Sequence, residues 1–201
     1  MTKSKVNTDR EPGTAVATGS QAPIKDAEGC STLAELPPSA IPDANCILVY
    51  ADGACIGNPG PGGFAYSLRR FVDGECVAER IKVGGEADTT NNRMELLAAI
   101  RAFEAIAADN PLPVFVRSDS QYLVKGWNEY LPGWIAKGWK KSDKKPVLNQ
   151  DLWQRLVAAL AGRSTTFEWV RGHAGDPGNE EVDGRAEAEA KRQGRKSAVA
   201  A

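Results

Sequence analysis

The chain has 201 residues, 42% of them apolar and 25% charged, with a formal net charge of -1. That length suffices for one domain with a substantial core, and no apolar run approaches the roughly 20 residues that a membrane-spanning helix needs. The near-neutral balance excludes attraction of a polyanion by global charge alone, and "MTKSKVNTDREPG" carries no apolar signal stretch, so the cytoplasm is the expected compartment.

Residues 1–43 mix Pro, Gly, Ser, Thr and Ala with scattered charges and show no apolar period. They are expected to form a disordered tail, with at most a brief helix at "STLAEL". The four cysteines, Cys30, Cys46, Cys55 and Cys76, lack the close spacing of a metal knuckle, and reduced thiols are expected. From residue 46 the pattern changes. "CILVYADGAC" reads as a strand with Leu48, Tyr50 and Asp52 on one face. The run "GNPGPGG", 57–63, lacks GxGxxG and GK[ST], and its prolines remove amide donors. It reads as a tight turn between antiparallel strands, not as a nucleotide cradle. "FAYSLRRF" and "ECVAERIKV" follow as strands joined at "VDG", a hairpin signal.

"NNRMELLAAIRAFEAIA" predicts a helix whose apolar stripe is Leu96, Ile100, Phe103 and Ala107. "LPVFVRS" is a fourth strand, and a helix begins near Asp119. "NQDLWQRLVAALAG" is a further helix stopped at Gly162. "TTFEWVRG" is the fifth strand and "NEEVDGRAEAEAKRQ" the last helix, after which "GRKSAVAA", 194–201, is expected to fray. This order predicts an α/β domain over 44–193, a mixed sheet with helices on its faces.

Four acids stand at element boundaries: Asp52 inside the first strand, Glu95 in the first helix, Asp119 at the end of the fourth strand and Asp183 near the start of the last helix. Taken singly, Asp119 could cap a helix, Glu95 could answer a helix dipole, and Asp183 could lie on a solvated face. Asp52 is harder to dismiss, because aspartate is disfavoured in mid-strand and an unpaired buried carboxylate is costly. If the first and fourth strands are parallel neighbours, Asp52 and Asp119 meet at their carboxyl ends, where functional residues of α/β sheets gather. Clustered carboxylates repel unless protons or cations neutralise them, and hard ions such as Mg²⁺ or Mn²⁺ suit oxygen ligands. His173 is the single histidine, in a loop with glycines at 172, 175 and 178, a setting for proton handling rather than packing. "KGWKKSDKK", 137–145, holds five lysines against one aspartate, with Trp134 and Trp139 close by.

The segments "YADGACIGNPGPGGFAYSLR", "TTNNRMELLAAIRAFEAI", "SDSQYLVKGW", "GWKKSDKKPVLNQDLWQRL" and "FEWVRGHAGDPGNEEVDGRA" together resemble type 1 ribonuclease H of bacteria, over about residues 46–192. The resemblance implies a five-stranded mixed sheet with its first three strands antiparallel. It also implies endonucleolytic hydrolysis of the RNA strand of RNA–DNA hybrids, leaving 5′-phosphate and 3′-hydroxyl ends. The family's metal-binding acids map onto Asp52, Glu95, Asp119 and Asp183, holding two Mg²⁺ ions with Mn²⁺ as an alternative, and its mobile histidine maps onto His173. Asn58, Asn92 and Gln121 are implied hybrid contacts, Thr90 helps hold a DNA phosphate, and Asn179 is placed near His173. A basic protrusion at about 130–145 would grip the DNA strand through Trp134, Trp139, Lys140, Lys141, Lys144 and Lys145. Bacterial relatives carry several consecutive basic residues before "GWK"; here Ile135 and Ala136 thin that patch. The tail shows no pattern of a separate hybrid-binding domain, and a monomer is expected. Two rival readings remain, a DNA-cutting nuclease of transposase or resolvase type on the same sheet and a non-catalytic nucleic-acid-binding module.

Overall fold

The computed structural model describes residues 45–200. The expected tail over 1–43, its short helix and Cys30 lie outside the described residues. The elements in chain order are β1 (Cys46–Cys55), β2 (Gly60–Val72), β3 (Glu75–Thr89), α1 (Asn91–Ala105), β4 (Val114–Ser118) and α2 (Gln121–Lys125). A π-helical segment (Gly126–Tyr130) then leads into α3 (Leu131–Ala136), α4 (Gln150–Leu160), β5 (Thr165–Trp169) and α5 (Pro177–Ala200). The sheet order is β3-β2-β1-β4-β5. β1, β2 and β3 run antiparallel, while β4 and β5 add in parallel, which is the mixed sheet that the strand pattern and the resemblance led us to expect.

Local chemistry accounts for the main turns. Asp73 and Gly74, between β2 and β3, both have positive φ, the geometry that lets a two-residue hairpin follow the strand twist. Gly162 follows α4 with φ +76, as expected of a helix stop. At "GNPGPGG" the turn is confined to Ile56–Pro59, and the next glycines already belong to β2. They are there for space. A side chain on Gly63 would strike the backbone of α5 at Ala186 and Ala190, and one on Gly53 would strike the start of α1 at Met94 and Glu95. Glycine thus lets both helices lie directly on the strands.

Four expectations are corrected. β3 continues past Val83 to Thr89, which pairs with Gly60. α1 ends at Ala105, so Ala107 is not part of its stripe, and Ile106 fills the core position instead. The segment 194–201 is not frayed over its described part, since α5 runs to Ala200; Gly194 packs near Pro61 and the Ser197 hydroxyl donates to the Gln193 carbonyl. Cys55 is a free thiol, whereas Cys76 is disulfide-bonded. The expectation of reduced thiols therefore fails at Cys76, because bonding depends on which sulfurs meet in space rather than on spacing.

Apolar residues on the two faces of the sheet build two cores. Val49, Ala51, Leu96, Ile100, Phe103, Val116, Trp153 and Phe167 pack between the sheet and α1 and α4. Leu48, Tyr50, Ala65, Phe71, Phe115, Val182 and Ala186 pack between the sheet and α5. The alternation along β1 feeds both cores, as the two-residue period requires. Among the described residues no helix is long and apolar enough to cross a membrane. Replacing Gly63 with alanine should push α5 off β2 and destabilise the fold by about 1–3 kcal/mol. Urea denaturation measures this, and an unchanged midpoint would show that α5 tolerates the extra carbon.

Candidate active site

β1 and β4 pair in parallel with Tyr50 opposite Arg117. Two residues further along each strand the chain reaches Asp52 and Asp119, side by side where the sheet ends. The close approach at Gly53 brings the first turns of α1, and with them Glu95, against the same end of β1. α5 crosses from the opposite face and adds Asp183. Asp52, Glu95, Asp119 and Asp183 line one cleft of about 500 Å³. The four acids predicted from the sequence therefore come together.

The two buried acids, Asp52 and Glu95, are shifted in the same direction. Asp52 is only 6% exposed, and burial, with the charges of Asp119 and Asp183 adding to it, pushes its carboxyl up to about 7, against hydrogen bonds from the Gly53 amide at 2.7 Å and from the Glu95 carboxyl. Burial, reinforced by the Asp52 and Asp119 charges, raises Glu95 well above the usual carboxylate range. Asn91 Nδ2 donates to Glu95 Oε1 at 3.2 Å, but Glu95 Oε2 is buried with no hydrogen-bond partner. Two adjacent carboxylates can meet only through a shared proton or a cation. Among the described residues, none of Asp52, Glu95 and Asp119 sits in an ion pair with lysine or arginine.

The outer half of the cluster is held by weaker groups. Asn179 Nδ2 donates to Asp119 Oδ2 at 3.3 Å, and His173 Nδ1 lies 3.6 Å from Asp183 Oδ2 with 81% of the His173 side chain exposed. Asn179, expected near His173, thus reaches Asp119 in this structure. Among the described residues, no three His, Cys, Asp or Glu side chains are already drawn into a set that could hold a metal ion. The donor set is nonetheless hard oxygen throughout, and the partnerless Glu95 oxygen faces its acidic neighbours, so the residues fit a divalent cation.

Helix capping at Asp119 is settled by its neighbour. Ser120 accepts from the Leu123 amide at 3.2 Å and caps α2, which leaves the Asp119 carboxylate to the cleft. The Trp169 indole donates to the Asp119 carbonyl at 2.9 Å and fixes that residue's backbone. A side chain at Gly172 would strike the Asp119 carboxylate, so the loop carrying His173 lies directly on it.

The expected hybrid contacts divide into two groups. Thr90 and Asn92 are half-exposed at the start of α1, and Gln121 is exposed at the start of α2, all on the cleft side of the sheet. Asn58 already has a structural task, since its Oδ1 accepts from the Asn91 amide at 3.1 Å. Trp134 and Trp139 are half-buried against the core. Trp134 meets Trp153 edge-on at 5.3 Å, so these rings support the protrusion from within. Lys140, Lys141, Lys144 and Lys145 are exposed, with Lys141 and Lys145 each 3.9 Å from Asp143.

Sequence reasoning missed a polar network beneath the cleft. Arg117, fully buried in β4, donates to the Tyr50 hydroxyl at 3.3 Å and to Glu168 at 3.0 Å. Tyr50 donates in turn to Asp176 at 3.4 Å, and burial pushes its phenol up to about 12, so it keeps its proton. Asp176 caps α5, accepting from the amides of Gly178 at 3.0 Å and Asn179 at 3.3 Å. The signals were present in an arginine inside "VFVRS" and in "DP", a capping residue before a first-turn proline.

Comparison with known proteins follows the same lines. The RNase H family model matches residues 44–191. The chain is 48% identical over 144 residues to Ribonuclease H of Paracoccus denitrificans, covering 72% of this chain and 92% of that one. It is 53% identical over 143 residues to Ribonuclease H of Ruegeria sp. (strain TM1040), covering 71% of this chain and 89% of that one. Among solved structures, LC9-RNase H1, a type 1 RNase H with the type 2 active-site motif, superposes with a TM-score of 0.67 and 36% identity, over 77% of this chain and 76% of that one. LC11-RNase H1, solved in complex with RNA/DNA hybrid, has a TM-score of 0.55 at 23% identity, over 73% of this chain and 97% of that one, and shares the fold. A family match over residues 44–191, joined to a relative 48% identical over 92% of its own length, is more than shared architecture: the chain belongs to the RNase H family.

Proposed function

We propose that this protein is an endoribonuclease that hydrolyses the RNA strand of RNA–DNA hybrids, with Asp52, Glu95, Asp119 and Asp183 holding Mg²⁺, or Mn²⁺ in its place. The observation that carries this reading is the convergence of four acids in one cleft, three of them without a basic partner among the described residues and one with a buried oxygen that makes no hydrogen bond to them. The relatives named Ribonuclease H support the same substrate class.

When bound, Mg²⁺ supplies charge neutralisation to the phosphodiester and Lewis-acid assistance to its hydrolysis, which would leave 5′-phosphate and 3′-hydroxyl ends. The chain's own groups do the rest. Asp52 and Glu95, buried and pinned to β1 and α1, form the rigid side of the site. Asn179 orients Asp119 by donating to Oδ2. His173 turns Nδ1 toward Asp183, leaving Nε2 on the exposed side of the ring to exchange a proton with solvent or product. Ribose differs from deoxyribose by its 2′-hydroxyl, and Asn92, Gln121 and the amides around residues 53–60 are the groups placed to read it. The exposed lysines of the protrusion would meet the DNA strand, in contacts that weaken with salt.

The reading is tested by offering hybrid, double-stranded RNA and double-stranded DNA side by side, with and without magnesium. Only the hybrid should be cut, only with metal, and Asp119→Asn should abolish cutting while the protein stays folded; cleavage of the DNA duplex would favour the transposase-like alternative. His173→Ala should slow turnover far less than loss of an acid. A collapse as deep as that of Asp52→Asn would assign the histidine a different role.

Stability should report the crowding directly. The Asp52 carboxyl, pushed up to about 7 in the fold, sits near 3.9 in an unfolded chain. Between those values the folded state holds a proton that the unfolded state has released, so stability falls as pH rises through the window. With metal chelated, Asp52→Asn should be more stable than the parent protein at pH 8, by on the order of 2–4 kcal/mol. The advantage should shrink toward zero near pH 4. Urea titrations across this range check the trend, and a pH-independent difference would show that the fold does not raise the Asp52 carboxyl.

A further inference from the structure

We propose that the Tyr50 hydroxyl is the positioning group that sets α5 in register with β1 and β4, and thereby sets how readily the acid cluster takes up Mg²⁺. This rests on the function proposed above and adds to it a residue that does not line the cleft.

Tyr50 is fully buried, two residues before Asp52 on the same face of β1. The first turn of α5 rests on its ring, because a side chain at Gly178 would strike the ring carbons. The phenol oxygen accepts from Arg117 Nη1 at 3.3 Å and donates to Asp176 Oδ2 at 3.4 Å. Arg117 is the residue opposite Tyr50 in the β1–β4 ladder, and it continues to Glu168 of β5. Asp176 is the N-terminal cap of α5, its second oxygen taken by the Gly178 and Asn179 amides. One oxygen atom therefore joins the strands that carry Asp52 and Asp119 to the helix that carries Asn179 and Asp183. The Arg69 guanidinium adds a contact of the same sense, lying 5.4 Å over the Tyr50 ring while reaching Glu181 of α5 at 3.4 Å.

What depends on this junction is alignment. Asp52 and Glu95 are positioned by the β1–α1 contact and do not need α5. Asp183 and Asn179 are carried on the first turns of α5, so their position follows where that helix begins. Without the hydroxyl, Arg117 and Asp176 lose their common partner, and the helix start is left to rest on the ring and on Arg69 without its polar tie to β4. The cluster must then spend binding energy on drawing α5 back, which lowers the apparent affinity for the cation. Tyr50→Phe isolates this effect, because it keeps the ring under α5 and removes only the oxygen.

The experiment compares the full chain with its Tyr50→Phe variant in two titrations with Mg²⁺ as the probe. One follows the rise in thermal midpoint of the substrate-free protein, and the other follows hybrid cleavage. Half-saturating Mg²⁺ should rise three- to tenfold in both, while kcat at saturating Mg²⁺ returns to within twofold of the parent. A merely structural tyrosine would lower kcat at every Mg²⁺ concentration, and that result, or unchanged half-saturation in a folded variant, overturns the inference. If Tyr50→Phe does not fold, Asp176→Ser retains a capping oxygen for α5 but loses the reach to Tyr50. It must show the same shift, and an unshifted titration counts equally against the proposal. A parent protein that responds to Mg²⁺ in neither titration removes the nuclease reading and this inference together; a responsive parent with an indistinguishable variant removes this inference alone.

Discussion

The mutual repulsion of carboxylates at one end of a parallel strand pair governs this structure. Asp52 and Asp119 emerge from adjacent strands, and Glu95 is pressed against them by a helix that can approach only because residue 53 has no side chain. Each acid would be cheaper to bury alone with a basic partner. Burial, with the charges of the neighbouring acids adding to it, raises the cost of ionising Asp52 and Glu95, and the fold carries that cost in its ground state. On the proposed reading, a cation in this cleft is what would let an anionic substrate approach.

The surrounding architecture holds the acids to unequal degrees. The inner side, Asp52 and Glu95, is buried and set by backbone contact between β1 and α1. The outer side, Asp119 and Asp183, depends on an amide, an exposed histidine and the placement of α5. On the proposed reading this division has a use, since a cation can draw the outer acids inward while the inner pair stays fixed. The α5 start is in turn placed by a buried polar chain from Arg117 through Tyr50 to Asp176, made of groups that satisfy one another out of contact with water.

Away from the cleft, the protrusion separates support from charge. Its tryptophans turn toward Trp153 and the core, and its lysines turn outward. A chain with almost no net charge thus still carries a local run of exposed lysines on this projection, and it is such local rather than global electrostatics that can act on a charged partner.

The sequence alone was enough to determine the strand and helix order and the candidacy of the four acids. Periodicity and turn chemistry are local properties, and an aspartate in the middle of an apolar strand is anomalous before any fold is known. The resemblance supplied the pairing of those acids with His173. Only the tertiary structure decided that Ser120 and not Asp119 caps α2, that Trp134 and Trp139 face the core, and that α5 continues to Ala200. It alone also joined Arg117, Tyr50 and Asp176 into one junction. Those three residues are separated by up to 126 positions, and nothing local distinguishes a buried arginine that has found a phenol from one that has not. Spacing along a chain encodes which face a residue takes; which groups meet across faces is set by packing.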